Sequence, residues 1–364
     1  MTKHGRGPAG TYATERTRRV EYDGSAIWVS RLLEWAGDRV PGGPLFAGVL
    51  LLGWPPLLLA GFTIAVGWPE MSVTFASAYL VAAVLLAALP SLIWYYDVRL
   101  LTRFAGRMTA RVEEQSVLVD CAEPYDRRFS RWHPAIVLPW TALLLVVLVG
   151  SIPTLETQGI GGPTALPFWS VAAFFVWGGV LTGIGFHGAI ITVSYIVALV
   201  DRTELRIDPY HPDRLGGLSA VGYFAIRTTL LLSSGALLLP LAFELAAGTP
   251  FQAPIYAAVV VYIGVIVASF VYPTWLVNRT AHHVRVKRLD DLGGEINALQ
   301  RQLENARDHD VADVSTQLEL QRLQQLYEDY RQTRLYPMSP SILTQLVGSV
   351  LLPVSAILRE VVIA

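Results

Sequence analysis

Cysteine is almost missing from this chain of 364 residues: there is one, Cys121. A lone thiol excludes an intrachain disulfide and a thiolate metal cluster. Charge is scarce too, at 16% of residues, where a soluble domain carries about 25%. The net charge of −1 lacks the basic excess that a nucleic-acid partner requires, so no nucleic acid is expected. There is no phosphate-binding glycine loop with its lysine, no Gly-x-Ser-x-Gly elbow, no His-Glu-x-x-His and no dinucleotide fingerprint. The expectation is therefore a non-enzyme with no catalytic residue and no cofactor. Residues 1–43 are polar and lack the basic, apolar, small-residue order of a signal peptide, so no cleaved targeting segment is expected.

What the chain has instead is apolar length. Hydrophobic residues make up 53%, and the mean hydropathy is +0.44. A spanning helix needs roughly 20 apolar residues. Six runs qualify, at 44–69, 71–96, about 134–155, 167–200, 220–246 and 251–278. The basic residues set an orientation, because cytoplasmic loops retain Lys and Arg. They crowd the segment before the first run (Lys3, Arg6, Arg16, Arg18, Arg19, Arg31, Arg39), the 97–133 and 201–217 loops, and the chain after residue 278. The three other connections hold none; each carries a single acid instead, Glu70, Glu156 or Glu244. The expectation is an all-α polytopic bundle of six spans in the cell inner (plasma) membrane, with both termini cytoplasmic and the lipid bilayer as its first partner. Its parts are a cytoplasmic N-terminal segment (1–43), the six-span domain (44–278), a cytoplasmic helical hairpin (279–335) and an apolar membrane-associated segment (336–364). Pro56 and Pro90 are echoed by Pro240 and Pro273 at nearly the same separation; if that marks a repeat, it is a parallel one.

After the sixth run the apolar period changes. Leu289, Leu292, Ile296, Leu299 and Leu303 recur at heptad spacing, and Leu320, Leu323, Tyr327 and Tyr330 do so again after the polar break "ARDHDVAD". This predicts an antiparallel coiled-coil hairpin of 281–306 and 311–335, about 35–40 Å long at 1.5 Å per residue. It offers a surface for a protein partner at 281–335. The apolar stretch 336–358 predicts a re-entrant or interfacial helix kinked near Pro353; a full crossing would instead make a seventh span.

Between the fourth and fifth runs the chain reads "DPYHPDRLGGL". Proline holds the residue before it off the helical region, so Asp208 and His211 are extended. Asp213 is placed to cap the next helix, and Gly216 with Gly217 permits a sharp bend. This predicts a rigid elbow; a gating or ligand role for Asp208, His211, Asp213, Arg214, Gly216 and Gly217 is the alternative. His211 and Asp213 do not complete a metal site by themselves, so the metal is unknown. Residues 211–218 resemble a pattern, His-Pro-Asp-x-x-Gly-Gly-Leu, of uncharacterised prokaryotic multi-pass membrane proteins. The resemblance covers eight residues and implies architecture without a mechanism.

His187, in "LTGIGFHGAII", is the one histidine well inside a run, where an ionisable group usually faces a cavity or a partner. Glycines 183, 185 and 188 around it suit close helix packing. Haem ligation would need a second histidine at that depth, and His133, His282 and His283 fall at inner boundaries. Asp97 and Arg227 also fall there and are expected to snorkel. Arg99, Arg103, Arg107 and Arg111 form a basic stripe suited to anionic headgroups. Glu70, Glu156 and Glu244 on the outer connections would form acidic rings at a pore mouth in a homo-oligomer. Two functions fit: a cation channel or solute transporter lined by spans four and five, with His187 and Glu244 on the path; or a membrane-anchored sensor or assembly platform acting through the hairpin.

Overall fold

The computed structural model describes residues 27–109, 115–202, 207–211, 213, 216–307 and 314–333, with scattered positions from 344 to 355. Every regular element among them is helical: α1 (Trp28–Gly37), α2 (Gly43–Gly48), α3 (Trp54–Gly67), α4 (Val73–Trp94), α5 (Thr102–Thr109), α6 (Gln115–Gly150), α7 (Ile152–Thr157), α8 (Leu166–Arg202), α9 (Ser219–Ser234), α10 (Leu239–Ala246), α11 (Gln252–Arg307) and α12 (Val314–Gln332). Six stretches are long and apolar enough to cross a membrane: Gly43–Gly67, Val73–Met108, His133–Gly150, Leu166–Ala198, Ser219–Ala246 and Gln252–Glu304. The protein is a helical membrane protein.

Three of these spans are not uniform α-helix. A π-helical turn, Val49–Gly53, joins α2 to α3; another, Tyr95–Leu101, joins α4 to α5; and a 3-10 turn, Gly235–Leu238, joins α9 to α10. The proline echo has a structural counterpart. Pro56 and Pro240 lie in the first turns of the helices that follow the first π turn and the 3-10 turn, while Pro90 and Pro273 lie inside long helices.

Span two is the most enclosed, with 56% of its apolar window buried, and span three the least, with 17%, so span two is the hub and span three lies at the rim. The core divides between the two ends of the bundle. At one end Tyr79, Phe75, Leu86, Phe174 and Leu241 pack together, with the Tyr79 and Phe174 rings 4.6 Å apart. At the other, Leu33, Tyr96, Phe104, Leu181, Leu218, Val221 and Val277 form the second cluster.

Lipid gives no hydrophobic drive for helices to associate, so small residues and hydrogen bonds hold the spans. Thr63 donates to Ser170 at 3.1 Å between spans one and four, and Trp140 Nε1 to Thr182 at 2.9 Å between three and four. Thr229 meets Ser269 at 3.3 Å, and Tyr262 donates to the Leu232 carbonyl, between five and six. α1 was read as part of a polar segment, but its Val29, Ser30, Leu33 and Ala36 are buried at helical spacing while Trp28 and Trp35 face outward. That amphipathic stripe lays it along the ends of spans one and two.

α11 runs without a break past residue 278, from span six into the first arm of the heptad segment. α12 then doubles back along it: Arg285 Nη1 donates to the Thr333 carbonyl at 3.0 Å. The expected apolar segment 336–358 and the break at 308–313 lie largely outside the described residues.

Candidate functional site

The three glutamate-bearing connections meet at one end of the chain. Ser72 N donates to Gln158 Oε1 at 2.7 Å, and Thr154 Oγ1 reaches the Leu245 and Ala247 carbonyls at 3.4 Å. Glu70 and Glu156 are exposed and Glu244 is half-buried. A single subunit thus gathers all three acids.

On α8, His187 is fully buried, and its Nδ1 lies 3.4 Å from Nδ1 of His133 on α6. This corrects the expectation that no second histidine shares its depth. Position in the run placed His133 at a boundary, but antiparallel pairing of α6 with α8 sets 133 opposite 187, as it sets Val137 opposite Gly183 and Thr141 opposite Gly179. Two imidazoles at this distance share a hydrogen bond when one Nδ1 carries a proton and the other, on a neutral ring, does not. Among the described residues no group of three or more His, Cys, Asp or Glu is placed to hold a metal.

Asp97 does not snorkel. It is 2% exposed, on the π turn that ends α4. A π turn shifts the register of every later side chain, and π turns recur at functional sites. Here the turn aims Asp97 into the bundle. Asp97 lines a small cavity with Tyr96, Gly185, Gly188, Thr228 and Leu231, contributed by spans two, four and five. Its free space is about 30 Å³, enough for one or two waters. A Cβ added at Gly185 or Gly188 would meet nothing within 4 Å, so these glycines keep space open. Thr228 donates its hydroxyl proton to the Phe224 carbonyl, which leaves oxygen lone pairs as what it can offer a ligand. Neither His187 nor Glu244 lines this space. Arg227, by contrast, is exposed.

The 207–218 stretch closes on itself. Asp213 Oδ1 sits 2.7 Å from His211 Nδ1 and accepts from Gly217 N at 3.1 Å, while Oδ2 accepts from Ser219 N, the first residue of α9, at 3.3 Å. Asp208 Oδ1 accepts from Tyr210 N at 3.1 Å in a local turn. Gly216 and Gly217 have φ of 66° and 87°. Arg214 lies outside the described residues. Sequence reasoning missed what the loop touches. Tyr330 of α12 donates its hydroxyl to the Ile207 carbonyl at 3.1 Å, and a Cβ at Gly216 would lie 3.6 Å from Thr333 Cγ2. The Asp329 carboxylate on α12 faces the exposed Tyr210 hydroxyl and, as an acceptor for its proton and as a negative charge, holds that phenol's pKa above its ordinary value. The loop therefore joins the first turn of span five to the end of the returning helix.

Comparison of the chain with protein-family models, with curated proteins and with solved structures found no match to any of the three.

Proposed function

We propose that the protein moves cations or small solutes across the inner membrane, along a path between spans four and five that passes the Asp97 cavity. The buried carboxylate inside a membrane bundle is the observation that carries this reading. A carboxylate enclosed between packed spans gives up hydration, and ionisable groups inside membrane bundles typically mark ion or proton routes. The glutamates at the opposite end, Glu70, Glu156 and Glu244, supply negative potential at an entrance, singly or as a ring in a homo-oligomer. His187 stands one residue from Gly188 of the cavity wall and borders the path. The elbow from Asp208 to Gly217 acts as the joint between span five and the hairpin, which projects into the cytoplasm.

Flux from proteoliposomes of the full chain tests this, comparing sodium, potassium and chloride. Cation-selective flux is expected. Asp97→Asn should lower it at least about tenfold, equivalent to about 1.4 kcal/mol, and Glu244→Gln should lower it less. Chloride flux equal to that of the cations, or flux indifferent to Asp97→Asn, would count against the path.

The second reading is a sensor or platform acting through the hairpin and a protein partner at 281–335. The contacts of Tyr330 and Thr333 with the elbow favour it, since they link hairpin position to span five. Cellular function that survives Asp97→Asn and Glu244→Gln but fails on removal of 281–335 would select this reading.

A further inference from the structure

A groove of about 630 Å³ opens where α1 meets the ends of spans one and two. Its walls carry charge of opposite sign on different elements. Glu34 and Asp38, four residues apart, stand at the end of α1; Arg99 and Arg103, also four apart, stand on the π turn and on α5. No ion pair among the described residues joins the two sides. Arg99 lies over the Trp94 ring, 5.7 Å from its centroid. Trp94 forms part of the wall at 4% exposure, and its indole N–H is buried without a hydrogen-bond partner.

Two guanidiniums facing two carboxylates across an open groove, without pairing, complement a ligand that is itself a dipole. Guanidinium forks suit a phosphate ester. The carboxylates and the Thr102 hydroxyl on the same wall are acceptors for an ammonium with three N–H donors. A purely anionic group would meet Glu34 and Asp38, and a quaternary ammonium has no proton to give them. The setting is that of a membrane interface. Trp28 and Trp35 are exposed on α1, as aromatic residues are at headgroup level. Beyond Pro44 on the groove wall, Leu45, Phe46 and Val49 are exposed along span one, a surface for an acyl chain.

We propose that this groove binds the headgroup of one phospholipid bearing a primary amine, a phosphoethanolamine, with its phosphate on Arg99 and Arg103 and its ammonium on Glu34 and Asp38. The assignment stands apart from the transport reading.

Native mass spectrometry of the full chain in detergent tests it, after exposure to vesicles of equimolar phosphatidylethanolamine, phosphatidylglycerol and phosphatidylcholine. One phosphatidylethanolamine should be retained with about tenfold preference over either of the others, the scale of one charge-assisted contact pair. In the Glu34→Gln, Asp38→Asn double variant that preference should disappear and phosphatidylglycerol should be retained equally or better. The Arg99→Gln, Arg103→Gln variant should retain none of the three. Glu34 is half-buried and the other three are exposed, so the variants should fold, and their unliganded melting curves verify it. Equal retention of phosphatidylglycerol by the unmodified chain, or a preference that outlives the carboxylates, overturns the proposal. Displacement of the lipid by free phosphoethanolamine at equal affinity would assign the groove to a soluble ligand and overturn the lipid assignment.

Discussion

Gly216 shows how closely the elbow is fitted. Its φ of 66° is disfavoured for any residue with a side chain, and a Cβ there would lie 2.7 Å from Ile207 Cγ2. Gly216→Ala should therefore destabilise the protein by about 1–3 kcal/mol, read from thermal unfolding in detergent. Asp213→Ala should cost about 1–2 kcal/mol, because it removes acceptors from Gly217 N and Ser219 N together with the His211 pairing. Tyr210 gives a test in alkali. Asp329 stabilises the protonated phenol, so the folded pKa lies above the unfolded value of about 10. The contact's contribution is whole below the unfolded value and is lost as pH rises through the folded one. A phenolate titration should place Tyr210 above the ordinary phenol value of about 10, and Asp329→Asn should lower it toward that value. Much of this loop was legible in "DPYHPDRLGGL", since prolines, a capping aspartate and paired glycines act locally. The docking of Tyr330 was not, because it joins positions 123 residues apart that no short-range pattern relates.

At the scale of elements, α8 shows what glycines near a buried histidine do. A Cβ at Gly179 would lie 2.9 Å from Thr141, and one at Gly183 would lie 3.3 Å from Val137 and Trp140; both let α6 approach. Gly185 and Gly188 have open space instead and border the Asp97 cavity. Sequence reading named 183, 185 and 188 as packing residues. It could not divide them by face, because the division depends on which neighbour each side of α8 meets. Gly179→Leu should separate α6 from α8 and break the His133–His187 contact, lowering the melting temperature, whereas Gly188→Ala should leave stability within about 0.5 kcal/mol. Under the proposed path, Gly188→Ala should still reduce flux, because a methyl group takes up much of the space for one or two waters. The snorkelling role expected of Asp97 fails for a similar reason. Its position at the end of an apolar run suggests a side chain reaching outward, but the helix continues through π geometry to Thr109 and the side chain is buried. Hydropathy has no term for a π turn, and the turn is what brings the carboxylate inside.

For the whole molecule, six apolar runs translated into six spans because length and hydropathy are set residue by residue against a bilayer of fixed thickness. Where helices end is a different matter. α11 carries on past the last apolar residue with no glycine or proline stop at 278, so the span and the heptad arm are one rod. That continuity makes orientation consequential: if both termini are cytoplasmic, any tilt of α12 about Arg285 and Thr333 is transmitted on one side of the membrane to the elbow and to span five. Single cysteines placed in a Cys121→Ser background test this directly. Thr164, exposed in the connection between spans three and four, should react when replaced by cysteine with an impermeant thiol reagent added outside intact cells. Gln325, exposed on α12, should react only after the inner face is opened. Reversed labelling would place the acidic connections inside and would invert the direction in which the glutamates and Asp97 are met by a permeating cation. Labelling of both positions from one side would break the six-span count itself, since three crossings separate them in that count and only an even number would leave them on one side.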